Sequence, residues 1–233
     1  MTKKVALAVI DLQEDFLPSQ GSLAIANGRD VIPLINELIS NRKYHWSAIV
    51  ATQDWHPKDH TSFASQHQVP PFSELEFTHP LGEIDTNTNQ IKIQKQFVWP
   101  DHCVQESSGA CLDASFLGNF NSIAPNIPKA IVKKGYLTDR EYYSCFQDTW
   151  GIHKTEMTEF LKEHGITDVI FVGLAYDFCV VNSAIDSAKN GFKTYVLKNY
   201  SKSVYPDKEA ETDAIYKANG IEIITDDSFS SIF

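Results

Sequence analysis

The sequence predicts an α/β fold built on an open, mainly parallel sheet. Three observations carry that prediction. Short, nearly continuous apolar runs alternate with stretches of helical periodicity along most of the chain. The first apolar run has no polar alternation, as expected of a strand covered on both faces. Glycines at 165, 191 and 220 follow directly on three of the helical stretches, where a stop signal belongs.

Taken in order, Lys4-VALAVI-Asp11 is the first strand. Asp30 to Ile39 is a helix by the spacing of Val31, Leu34, Ile35, Leu38 and Ile39, with Asp30 as its cap and Pro33 in its first turn. Ser47 to Thr52 is the second strand, and Ala130 to Val132 is the heart of the third. Thr155 to His164 is an amphipathic helix, and Val169 to Val172 is the fourth strand. A helix opens at Cys179 and runs to Asn190, followed by a fifth strand at Thr194 to Leu197. A helix from about Lys208 to Ala218 leads to a last short strand, Ile221 to Ile224. The segment from Asp54 to Gly109 differs in kind: it is rich in His, Pro, Asn and aromatics, with a weak strand candidate at Ile91 to Ile93. Loops that long usually carry function. With no internal repeat, low-complexity tract or linker, residues 1–233 read as one domain.

Composition narrows the function. The chain has 42% hydrophobic and 21% charged residues, enough for a sizeable core. A net charge of −10 argues against nucleic acid and anionic lipid as partners, and favours a neutral or weakly charged small molecule. No uncharged apolar run approaches the ~20 residues of a membrane helix. Asp11, Glu14 and Asp15 follow the first apolar run at once, which is not the pattern of a cleaved leader. Cys103, Cys111, Cys145 and Cys179 form no C-x-x-C pair, so reduced thiols in a cytoplasmic protein are the expectation.

In a parallel α/β sheet ligands sit beyond the carboxyl ends of the strands. Asp11, Lys134 and Cys179 lie at or just past three such ends. A cysteine opening a helix is favoured as thiolate by the amides and dipole there, and the same amides can hold an oxyanion. Alone, each residue has a plainer reading: Asp11 a turn residue, Lys134 a solvated surface lysine, Cys179 a small core residue. Together they form an acid–base set of carboxylate, ammonium and thiol. Asp54 and His56, two apart, can meet one ion if the segment is extended, with His60 or His102 beyond. One carboxylate and imidazoles suit Zn, Fe or Mn, although D-x-H by itself is a weak signal. His45, His67, His79, His153 and His164 show no such arrangement and are expected at the surface.

Five stretches, in register over about residues 5 to 200, resemble the nicotinamidase branch of the isochorismatase-like hydrolases. Asp11-Leu12-Gln13-Glu14-Asp15-Phe16 resembles D-x-Q-x-D-F, implying Asp11 as catalytic acid/base. Thr52-Gln53-Asp54-Trp55-His56-Pro57 resembles T-x-D-W-H-P, and Trp99-Pro100-Asp101-His102-Cys103 resembles W-P-x-H-C, implying Asp54, His56 and His102 as metal ligands. Lys134-Gly135-Tyr136 with Asp139 to Ser144 resembles K-G-[FY]-x-x-D-R-E-Y-Y-S, implying Lys134 as the lysine of a catalytic triad. Gly173 to Val180 resembles G-x-A-x-x-x-C-V, which carries the nucleophile Cys179.

The resemblance implies a three-layer α/β/α fold with a six-stranded, mainly parallel sheet and a cis peptide bond at Leu174-Ala175. It implies an oxyanion site from the amides of Ala175 and Cys179, and flanking of the substrate ring by Phe16 and Trp99. The implied activity is hydrolysis of nicotinamide to nicotinate and ammonia through a cysteine thioester, in NAD salvage, with pyrazinamide as an analogue. The implied cofactor is one divalent metal per chain, zinc first and iron or manganese as alternatives, holding the pyridine nitrogen. A homo-oligomer is left open, as are His60 (ligand or support) and Cys145. The rival readings are a sister hydrolase acting on isochorismate, a ureido compound or another amide, a non-catalytic binding module, and a structural zinc protein. The sister hydrolases generally lack a D-x-H…H set.

Overall fold

The computed structural model describes residues 3–41, 43–225 and 227–233. Its central element is β1, Val5–Ile10, every residue of which is buried. β2 (Ala48–Asp54) and β7 (Lys129–Lys134) extend the sheet on one side of β1; β8 (Asp168–Leu174), β9 (Lys193–Lys202) and β10 (Glu222–Ile224) extend it on the other. The order is β10-β9-β8-β1-β2-β7, six strands with all neighbours parallel.

Because alternate residues of a strand face opposite sides, β1 feeds two cores. Val5, Leu7 and Val9 pack with Val31, Ile35 and Leu38 of α1 (Val31–Ser40) and with Phe116 and Phe120 of α2 (Ala114–Asn121). Ala6, Ala8 and Ile10 face Met157 and Leu161 of α3 (Met157–Glu163), Val181 and Ala184 of α4 (Val181–Lys189), and Tyr216 of α5 (Glu209–Ala218). Helices therefore cover both faces, giving the three layers expected.

Several local expectations change. Asp30 does not cap α1 with its side chain; it lies in the helical region at the end of a short 3-10 turn, Gly28–Asp30. Leu34 of that helix is 40% exposed, outside the apolar stripe. β2 and β7 each run two residues further than the sequence suggested, so Asp54 and Lys134 end strands rather than follow them. α2 went unpredicted, yet Asp113 caps it by accepting from the amides of Ser115 and Phe116 at 3.0 and 2.9 Å. The long insertion forms two hairpins, β3 (Glu74–Thr78) with β6 (Ile93–Phe97) and β4 (Ile84–Asp85) with β5 (Gln90–Ile91), so the weak strand candidate spans the junction of β5 and β6. No helix among the described residues is long and apolar enough to cross a membrane.

Candidate active site

The strand order reverses at β1: the chain passes to β2 and β7 on one side, then to β8 on the other. The carboxyl ends of these four strands meet there, the place where open α/β sheets bind ligands. They deliver Asp11, Asp54, Lys134 and, through a π-helical turn at Tyr176–Val180 after β8, Cys179.

Lys134 is the hub. It is completely buried, and its ammonium lies 2.9 Å from Asp11 Oδ2, 2.5 Å from Asp54 Oδ1, 3.1 Å from the Tyr142 carbonyl and 3.4 Å from Cys179 Sγ. Asp54 and Lys134 are register partners in β2 and β7, so the sheet itself sets their pairing. Asp11 has a left-handed backbone, φ 48°, which turns its carboxyl back over the strand end. Thr52 holds it there, donating to Asp11 Oδ1 at 2.5 Å and accepting from its amide at 3.1 Å.

Charge and burial compete at each group. Burial pushes the Asp11 carboxyl up, opposed by Lys134 and reinforced by Asp54. Burial would also raise Asp54, yet Lys134 and His56 hold it well below the usual carboxylate range. Burial would lower Lys134, but Asp11 and Asp54 keep it firmly protonated. The Cys179 thiol is pushed well above its ordinary value by burial, opposed by Lys134 and reinforced by Asp11 and Asp54. That corrects the expectation of a helix-end thiolate: Cys179 sits inside a turn that runs straight into α4, and is a thiol at rest.

The second half of the site shares Asp54. His56 Nδ1 donates to the Gly135 carbonyl at 2.9 Å, and His102 Nδ1 donates to the Pro100 carbonyl at 2.7 Å. With both Nδ1 atoms so occupied, the two Nε2 atoms face Asp54 Oδ2 at 3.5 and 3.9 Å. His56 Nε2 is buried and has no hydrogen-bond partner. Burial and the His56 charge push His102 down to about 4. Three candidate ligand atoms thus converge within 4.8 Å of one another, and a divalent cation that displaced the proton from His56 Nε2 would be met by all three. Gly135 permits the close approach: its φ is +72°, and a Cβ there would lie 2.3 Å from His56 Cε1.

His60 behaves differently. It is fully buried, with Nδ1 2.7 Å from Ser62 Oγ and Nε2 donating to the Arg140 carbonyl at 3.0 Å, while its ring packs 4.2 Å from that of His56. Both ring nitrogens are already engaged, and the ring packs behind that of His56. His79 is also buried rather than at the surface, packed edge-on against Trp150, and His153 is half-buried and bonded to the hydroxyls of Tyr142 and Tyr136.

Asp54, His102 and Cys179 open into a small cavity walled by Phe16, Trp99, Tyr143, Phe178 and Glu141 among others. Phe16 and Trp99 are 6% and 3% exposed, and both line this space. Trp99 Nε1 donates to Tyr143 Oη at 3.2 Å and the Trp99 ring stands edge-on to Phe178, 4.9 Å away. Glu141 and Tyr143 were not singled out from the sequence, although both belong to the stretch around Lys134 that resembled the family. Glu141 is 3% exposed, accepts the Tyr142 amide at 2.8 Å, and offers an oxygen near His56 and His60. Gln13 is a second omission: its buried amide pairs with both backbone groups of Asp54 at 2.8 Å. Cys145 is core, packed with Phe146, Met157 and Leu161, its thiol pushed up to about 12 by burial. The Leu174-Ala175 peptide bond is cis.

Residues 120–228 match the Isochorismatase domain family. The chain is 36% identical to the nicotinamidase of Saccharomyces cerevisiae over 221 residues, 94% of this chain and 98% of that one. The yeast nicotinamidase bound to the inhibitor nicotinaldehyde superposes with a TM-score of 0.85 at 34% identity, covering 95% of this chain and 100% of that one. A pyrazinamidase of Pyrococcus horikoshii in complex with zinc gives a TM-score of 0.70 at 30% identity, covering 96% and 99%. The chain belongs to the nicotinamidase family of isochorismatase-like hydrolases.

Proposed function

We propose that the protein hydrolyses nicotinamide to nicotinate and ammonia, with Cys179 as nucleophile, Asp11 as proton carrier and Lys134 as the charge that keeps both competent. One observation carries this reading. A buried lysine touches Asp11, Asp54 and the Cys179 thiol at once, and the last two line an aromatic-walled cavity. The nicotinaldehyde held by the yeast relative also has an electrophilic carbonyl carbon in place of the amide carbon.

A thiol at rest needs a base, and a carboxyl pushed up by burial is a better proton acceptor than an ordinary one. Asp11 takes the Cys179 proton as Sγ attacks the carboxamide carbon. The amides of Ala175 and Cys179 hold the oxyanion. Asp11 returns the proton to the departing nitrogen, which leaves as ammonia. Asp11 then takes one proton from water, whose oxygen attacks the thioester, and the C–S bond breaks. Asp11 returns that proton to the thiolate, and the acid released loses water's other proton to solvent as nicotinate. Lys134 compensates whichever of Asp11 and Cys179 is negative, so the pair never carries an unpaired buried charge. Phe16 and Trp99 flank the ring and exclude water. A divalent cation held by Asp54, His56 and His102 would supply a Lewis-acid seat for the pyridine nitrogen; zinc, iron and manganese suit that donor set. The nicotinate formed is a precursor for NAD salvage.

The test is ammonia release from nicotinamide, with rapid quench and intact-mass measurement of the protein. Release with a nicotinoyl adduct mapped to Cys179 supports the reading. No release from nicotinamide, with turnover of a ureido compound, would move the protein to a sister class.

A further inference from the structure

We propose that Asp177 is a positioning residue that, through the segment 203–205, sets how large a ring the pocket accepts. The idea rests on the reading of the cavity as a nicotinamide site. β8 and β9 run side by side, and after a register shift Gly173 pairs with Ser201 and Leu174 with Lys202. Beyond those pairs the strands continue into two different structures: the turn that carries Cys179, and the segment that carries Val204. Nothing in the sheet ladder joins them any longer. Asp177, midway between Ala175 and Cys179, does so with both oxygens: Oδ1 accepts from the Val204 amide at 2.9 Å and Oδ2 from the Tyr205 amide at 2.8 Å. Charge-assisted bonds of this kind are the strong ones. Tyr205 then packs its ring 6.0 Å from that of Phe178, a cavity wall.

What this tether holds in place is a partition. Val204 lines the cavity at Cys179 and also an adjoining, wider groove lined by Leu23, Ile25, Phe72 and Tyr205. Leu23 and Ile25 likewise belong to both spaces. With Val204 held inward, the cavity is confined to the small space at Cys179. With Val204 released, the cavity merges with apolar space that a fused second ring would fill.

The experiment compares full-length wild type, Asp177→Ala, Asp177→Asn and Val204→Ala on nicotinamide and on quinoline-3-carboxamide, the same carboxamide with a fused benzene ring. Asp177→Ala should shift the kcat/KM preference toward the larger amide by about tenfold, chiefly through KM for nicotinamide, with kcat held within about threefold. Asp177→Asn keeps one acceptor oxygen and should fall between. Val204→Ala removes the partition with the tether intact and should show the same shift. An unchanged preference in folded Asp177→Ala, or an equal loss of kcat on both amides, overturns the proposal. If Asp177→Ala fails to fold, unchanged preference in the other two variants overturns it. A wild type inert toward nicotinamide would sink the functional reading instead; the same preference is then read as dissociation constants for nicotinate and quinoline-3-carboxylate.

Discussion

The two halves of the site share Asp54 but meet its charge in opposite ways. On the side of Oδ1, Lys134 supplies a full positive charge, and its remaining contacts go to Asp11, Tyr142 and Cys179. On the side of Oδ2 there is no lysine, only two titratable imidazoles with their other edges tied to backbone carbonyls, His56 pulled up against burial by Asp54 and His102 pushed down by burial. The first half is complete as the chain folds. The second is a set of candidate ligand atoms aimed at one point, which a divalent metal would complete. On the proposed function the chemistry and the substrate grip would therefore be separable, although a single carboxylate joins them, and variants should fail in different ways according to the half they touch.

The largest effect is expected on the self-sufficient side. Cys179→Ala should lower ammonia release by about 10⁴-fold or more while leaving metal content unchanged, as measured by steady-state assay and elemental analysis. Lys134→Met should cost stability as well as activity, because it strands two acids in the interior. The expected loss is about 3–5 kcal/mol, roughly 10 °C in melting temperature by calorimetry. On the other side, His60→Ala should weaken metal binding by about 10–100-fold, read by competition with a chelating dye, with kcat at saturating metal and substrate little changed. A His60→Ala protein with full metal affinity but lost kcat would blur the division between the halves. The smallest effect belongs outside both: Ile84→Thr, on an exposed hairpin residue, should stay within about 0.5 kcal/mol of wild type and leave KM unmoved.

What the sequence made legible follows the same division. Asp11, Lys134 and Cys179 could be placed together from strand alternation alone, because parallel strands deliver their carboxyl ends to one edge whatever the loops do. The β8 and α4 signals were strong enough to put Cys179 near a helix start, but not to show the π turn that buries it and keeps it a thiol. The ligand half depended on resemblance: D-x-H says little, and His102 arrives through a long insertion whose path no local pattern reveals. His60 illustrates the limit. Its spacing leaves open a ligand or a support, and only the positions of Ser62 and the Arg140 carbonyl show its nitrogens already in use. α2 was missed because its eight residues mix Gly and Asn with two phenylalanines, although Asp113 two residues before Ser115 was a usable cap signal.

One measurement tests the central claim most directly: nicotinamide turnover by protein stripped of metal with a strong chelator, before and after titration with zinc, iron(II) or manganese(II). The expected result is loss of turnover on stripping and its return with close to one equivalent of added metal, with Cys179 equally open to alkylation in both states. Full nicotinamide turnover by rigorously metal-free protein would contradict it, showing that the convergence of Asp54, His56 and His102 serves something other than the grip on substrate.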